Sequence, residues 1–242
     1  MKLNLINAKT LAERFRAAFI AQDRWKLYLK GIENTLIISL MAVAIGITLG
    51  FIIATVTYVR KKTGKLRVLA AIFKVYVTVI RGTPVVLQLF IMYFVVLTFV
   101  KSGVIVGAIT FGLNSAAYVA EIARAGFSSV DDGQMEAGRS LGLSGAETMG
   151  KIILPQAMKN ALPPLFNEFI SLVKETAVVG YVGIIDLGKV PGLVQSRTFD
   201  YLFPLLISSV IYLAMVMLLT FVLRLMEKRL ARSERNGGLA NG

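Results

Sequence analysis

Eight polar side chains stand where the surrounding sequence is apolar: Asn114, Tyr118 and Glu121 in one stretch, and Asn167, Glu168, Ser171, Lys174 and Glu175 in another. At about 100° per residue on a helix, the first three fall within about 60° and the other five within about 120°, so each set forms one stripe. Such stripes do one of two things. They hydrogen-bond and ion-pair between helices, or they line a polar passage for a solute, with Glu168 or Glu121 beside its path. Each ionised group at mid-bilayer opposes insertion by roughly 2.5–3.5 kcal/mol, so neither stripe suits a lipid-facing position. Glu121 has Arg124 one turn away as a partner, and Glu175 has Lys174 beside it.

Most covalent chemistry is excluded. The 242 residues include no Cys and no His, which removes disulfides, thiol nucleophiles, imidazole acid/base catalysis and Cys/His metal sites. No catalytic residue, metal ligand or resident cofactor is therefore expected. The formal charge of +13 does not point to nucleic acid, because the cations cluster beside apolar runs, at Arg60, Lys61, Lys62, Lys65 and Arg67 and again from Arg224 to Arg235. Gly145, Gly150 and Lys151 imitate a phosphate loop, but Ile152 occupies the place of the magnesium-binding Ser or Thr and no strand precedes it.

The elements that hold these stripes are membrane spans. The chain is 56% hydrophobic, and its mean hydropathy is +0.70. Uninterrupted apolar runs of about 18 residues or more need a bilayer. Five spans are expected, over 35–59, 84–100, 103–124, 162–187 and 202–226, making an all-α integral membrane protein. Pro84 ends or bends the helix before it, so 66–81 reads as an interfacial or partly inserted helix. The predicted organisation is an external or interfacial segment at 1–30, a transmembrane domain at 31–226 with a polar loop at 126–160, and a basic tail at 227–242. No signal peptide is expected in 1–30. Ala42, Gly46, Gly50 and Ala54 put a small residue at every fourth position of the first span, for packing within the chain or between subunits.

Orientation follows from the connecting loops. The loop after the first span carries five Lys or Arg, the 124–160 loop four and the final turn and tail five, against one and two in the alternating loops. Those three basic regions are expected in the cytoplasm, which places the N-terminus outside. Residues 1–30 carry seven cations and run against this count. With Leu11, Phe15, Ala18 and Phe19 at helical spacing, the segment reads as lying along the outer surface, Trp25 and Tyr28 at headgroup level.

The polar loop contains a helix–turn–helix. Glu136 to Leu141 form a short helix, Gly142 supplies a left-handed stop, and Ser144 with Glu147 makes a capping box that starts a second helix running towards Leu154. Leu143, Ala146, Met149 and Ile153 give that helix an apolar face suited to a docking partner. The spacing of Glu136, Ala137, Gly142, Ile152, Leu154 and Pro155 resembles the EAA motif of ABC importer membrane subunits. "RGTP" at 81–84 followed by Gln88, "NSAAYVAEIARAG" at 114–126, "GQMEA" at 133–137 and "NEFISLVKET" at 167–176 are similar, in order, to the polar-amino-acid branch of that family. The resemblance covers roughly 31–230; Gly138, where the family usually has alanine, and "TAVVG" at 176–180 depart from it.

What the resemblance implies is a type I ABC importer permease fold with five spans. Glu136, Ala137, Gly138, Gly142, Leu143, Ile152, Leu154 and Pro155 would be the coupling region, seated in an ATP-binding subunit. The implied assembly has two ATP-binding subunits carrying ATP and magnesium, a second permease subunit (another copy or a paralogue) and an external amino-acid-binding protein, in a bacterial inner membrane. The implied function is uptake of polar amino acids by alternating access; from the residues themselves, Glu168 and Glu121 in a low-dielectric bundle would favour a cationic (basic) one. An ion-coupled secondary transporter is the alternative, and it would be expected to show inverted repeats, of which the sequence has none.

Overall fold

The computed structural model describes residues 10–239, with side chains through Arg229, and among these every regular element is a helix. The centre is a seam between α2 (Trp25–Thr63) and α5 (Gly103–Ser128). Glycine makes this contact close. A methyl added at Gly46 would lie 2.8 Å from Ser115 Oγ, one at Gly50 2.5 Å from Val119 Cγ1, and one at Gly112 2.7 Å from Ile45 Cβ. Ala42 and Ala54 are buried alongside. The small-residue stripe of the first span therefore serves packing inside the chain, where short side chains let two backbones approach. α2 is longer than the 35–59 span and ends on Gly64 at φ +69°, whose N–H bonds the Arg60 carbonyl beneath three cations that suit a helix C-terminus.

The segment expected as an interfacial helix and a second span is a bent pair. α3 (Arg67–Gly82) and α4 (Val85–Ile91, prolonged by a π turn over Met92–Val96) meet at 110° across Thr83 and Pro84. Pro84 cannot continue the α3 ladder and holds Thr83 extended, at φ −122°. Gln88 then ties the bend: its amide donates to the carbonyls of Ile80 (2.8 Å) and Thr83 (3.1 Å) and to Thr83 Oγ1 (2.9 Å). At about 1.5 Å per residue, 85–96 is shorter than the span expected over 84–100 and too short to cross a bilayer unaided; the bent pair is a broken span or a re-entrant loop.

α6 (Gly133–Ser140) and α7 (Gly145–Thr148) form the polar loop, and α8 (Leu154–Glu175) follows. The fourth span is displaced: the α-helix ends at Glu175, and 176–182 wind on as a 3-10 turn to Gly183 at φ +83°. Pro163 and Pro164 are accommodated inside α8. α9 (Val190–Thr198) leads to α10 (Leu202–Leu239), which continues helical through the basic residues beyond 226. By length and apolarity α2, α5 and α10 qualify as spans, the bent α3–α4 pair qualifies only if taken as one, and α8 does not qualify.

A polar clasp closes the end opposite the elbow. Asn34 donates to the Ile185 carbonyl (2.7 Å), Thr35 Oγ1 accepts from Leu187 N (3.2 Å), and Ser208 donates to the Leu187 carbonyl (3.2 Å). The buried Asp186 accepts from the backbone of Gly188 and Lys189 and from the Tyr212 hydroxyl. α1 (Leu11–Phe15) docks nearby: a Thr10–Glu13 capping box starts it, and the Arg14 guanidinium grips Asp200 at 2.8 and 2.9 Å. That pairing holds the Asp200 carboxyl below its usual range. Tyr28, expected at headgroup level, is instead buried against Ala18, Leu187 and Val190, while Trp25 is exposed. Residues 1–9 lie outside the described part.

Candidate functional site

The elbow is built from local signals. α6 ends in a Schellman turn: Leu143 N bonds the Gly138 carbonyl and Gly142 N the Arg139 carbonyl, with Gly142 at φ +83°. Ser144 Oγ accepts from Glu147 N (3.3 Å) and Glu147 Oε2 from Ser144 N (2.9 Å), completing the expected capping box. These bonds hold the Glu147 carboxyl below its ordinary pKa. Gly138 is buried where Thr148 crosses it; an added methyl would overlap the threonine side chain, with Oγ1 at 2.7 Å. Gly138 is thus a crossing point, not merely a weak helix former.

The second elbow helix does not stop at Leu154. A π turn over Met149–Ile153 carries it into α8, with Ile153 and Leu154 both in right-handed helical conformation. Pro155 follows the π turn directly, so its missing N–H takes one rung out of this continuous helix. Of the apolar face expected to await a partner, Ile153 is buried with Ala54, Ala123, Phe127 and Ala157 and Met149 packs beside them, while Leu143 is half-buried and Ala146 exposed. Leu143 and Ala146 line an adjoining cleft under Tyr58 and Val59. What the elbow offers outward is Leu141, 80% exposed, with Glu136, Ala137 and Pro155 also on the surface. Lys62 Nζ to Asp132 Oδ1 (2.9 Å) ties the end of α2 to the start of α6 and lowers the Asp132 pKa.

The two polar stripes do not meet each other directly. That of α5 faces the bent pair: Asn114 donates to Gln88 Oε1 (3.0 Å), and Arg81 lies 5.3 Å over the Tyr118 ring and 4.0 Å from Glu121. Glu121 holds Arg124 as expected, at 2.7 Å. On α8, Glu168 Oε1 accepts from Ser115 Oγ (2.8 Å), one step round α5 from Asn114. Asn167, Lys174 and Glu175 are exposed and Ser171 half-buried. Among the described residues Lys174 and Glu175 make no ion pair, contrary to expectation. Gln88 and Ser115 were missed as partners; a lone amide inside "PVVLQLFIMYFVV" was the signal for the first.

A helical membrane bundle with a helix–turn–helix elbow at one end and half-satisfied polar stripes within is the architecture of a permease. Residues 34–235 match the family described as binding-protein-dependent transport system inner membrane component, and the chain belongs to that family. It is 41% identical over 205 residues to a Rickettsia bellii (strain RML369-C) protein described as a glutamine transport system permease, covering 82% of this chain and 92% of that one. To the arginine transport system permease protein of Bacillus subtilis (strain 168) it is 37% identical over 209 residues, covering 85% and 93%. A solved amino acid ABC transporter determined with histidines superposes with a TM-score of 0.78 at 38% identity, over 84% of this chain and 94% of that one. The fold is that of type I ABC importer permeases, and the chain is a transport subunit of the inner membrane rather than an enzyme. Membership implies an ATPase and a binding protein as partners.

Proposed function

We propose that this chain is the membrane half of an ATP-driven importer of polar amino acids, crossing five times with its N-terminus outside and the 126–160 loop and C-terminus in the cytoplasm. It works by alternating access with a second permease subunit, a copy or a paralogue. ATP and magnesium are held by two partner subunits, and an external binding protein delivers the solute. Glu136, Ala137, Gly138, Gly142, Leu143, Ile152, Leu154 and Pro155 form the coupling region, with Leu141 as its most prominent outward group. The observation that carries this reading is the unbroken helical path from Gly145 through α8 to Glu168, because it joins the elbow mechanically to the polar stripe. The names of the similar proteins, glutamine and arginine permeases among them, support an amino-acid solute.

Asn114, Tyr118, Glu121, Asn167, Glu168, Ser171, Lys174 and Glu175 are the proposed solute-facing set, and within it Glu168 is the best placed to meet a cationic amino acid. Glu121 already has two guanidinium neighbours; Glu168 has one neutral donor, Ser115. In vesicles containing all subunits, uptake requires ATP and the binding protein; uptake driven by a proton gradient alone would transfer the reading to ion coupling. Glu168→Gln lowers the arginine-to-glutamine uptake ratio about tenfold, the size of a ~1.4 kcal/mol charge contact. An unchanged ratio removes Glu168 from the path.

A further inference from the structure

α3 does not run alongside α5 like a span. Its Tyr76 hydroxyl donates to the Leu113 carbonyl, and five residues later Arg81 is beside Tyr118 and Glu121, so the helix passes across the C-terminal half of α5. α4 climbs the other way, with Gln88 at Asn114 and Tyr93 close to Gly103. α3 thus lies obliquely at the elbow end of the bundle. It has two faces. Val68, Ile72, Val75 and Val79 recur at helical spacing and are each more than half exposed. Arg67, Lys74 and Arg81 recur every seven residues on a different side.

The basic side of α3 borders a groove whose other walls are α2 and α5. Arg60, Lys74, Arg81 and Arg124 surround it, Thr57 and Thr78 add hydroxyls, and Phe73 and Val77 contribute an apolar wall. The one acid, Glu121, is already engaged by Arg124 and Arg81. A second opening, lined by Arg60, Lys61 and Arg67, adjoins it and shares Thr57 and Arg60. Among the described residues Arg60, Arg67 and Lys74 form no ion pair, beside a helix whose opposite face is apolar and open.

We propose that this groove is a binding site for the phosphate headgroup of an anionic phospholipid, with the acyl chains lying along the exposed apolar face of α3. Charge complementarity and position select the ligand: an amphipathic helix at the membrane surface with unpaired cations in an interhelical pocket recognises anionic headgroups. Two adjoining openings that share Arg60 suit a lipid with two phosphates. The site lies at the elbow end, so with the proposed orientation the lipid comes from the cytoplasmic leaflet; occupancy in micelles tests the site without depending on that orientation.

The test uses the purified full-length chain in detergent, with bound lipid counted by native mass spectrometry against added cardiolipin, phosphatidylcholine or inorganic phosphate. Cardiolipin is retained, phosphatidylcholine is not, and millimolar phosphate does not displace it. The Arg60→Gln/Lys74→Gln pair weakens cardiolipin retention roughly 30-fold, from about a 5-fold contribution per cation near the surface. Arg139→Gln/Lys159→Gln, which removes equal charge outside the groove, leaves it unchanged. Equal loss in the control pair, equal retention of phosphatidylcholine, or displacement by phosphate overturns the proposal. The competition on the unaltered chain decides it even if the groove variant fails to fold.

Discussion

The α2–α5 seam and the stripe of α8 treat side chains in opposite ways. At the seam glycine and alanine bring two backbones together until no methyl can be added, and the residues around Ile38, Ala42 and Phe111 are sealed from solvent. Along α8 the chain places an amide, two carboxylates and an ammonium, and among the described residues only Glu168 of these has a side-chain partner. Dense packing fixes one arrangement; unpaired polar groups at a helix surface leave room for another arrangement or another molecule. In the proposed transport cycle the seam is the frame, and the stripe belongs to the moving or solute-facing part.

The contrast is broken most strongly at Gly50. Gly50→Val forces a branched side chain into Val119 and destabilises the protein by about 3 kcal/mol, read as a lowered Tm in detergent. The elbow gives a smaller and reversible effect: Gly138→Ala loses about 1–2 kcal/mol by colliding with Thr148, and a Thr148→Ala background removes most of that loss. Gly145→Ala, with nothing within 4 Å of the new methyl, is neutral or gains up to about 1 kcal/mol of helix propensity. A seam-sized loss there would erase the distinction between frame and elbow.

The smallest effect is electrostatic. Asp132 and Glu147 have carboxyls held below their ordinary pKa by Lys62 and by Ser144. A depressed folded value means their contribution is complete above roughly pH 4, the unfolded range, and drains as pH falls through the folded value. Amide exchange in 132–148 accelerates over that acid window before the seam responds. Lys62→Met removes the part belonging to Asp132 and leaves that of Glu147.

Legibility in the sequence followed the range of the forces. The capping box at Ser144, the stop at Gly142, the break at Pro84 and the Glu121–Arg124 pair depend on neighbours within a few residues, and each is where the spacing placed it. The direction of a stripe depends on which helix lies opposite, and spacing does not encode that. Asn114 met Gln88 and Glu168 met Ser115 because α4 and α8 sit on different sides of α5. The fate of Ile153 and Tyr28, buried rather than at a surface, was hidden for the same reason. Charges within the fourth span concealed its frame from hydropathy, and helix α8 starts before the apolar run and ends before it finishes.

The absence of a break between Gly145 and Glu175 has a consequence for timing. Over the roughly 36 Å from the Ser144 cap to Glu168 no loop intervenes, so in the proposed cycle a tilt imposed at the cap is carried along the helix, with give only at the π turn and at Pro155, Pro163 and Pro164, where rungs of the ladder are missing. The stripe would then have no schedule of its own: whatever holds the far tip of this rod decides when the carboxylate faces one side of the membrane or the other.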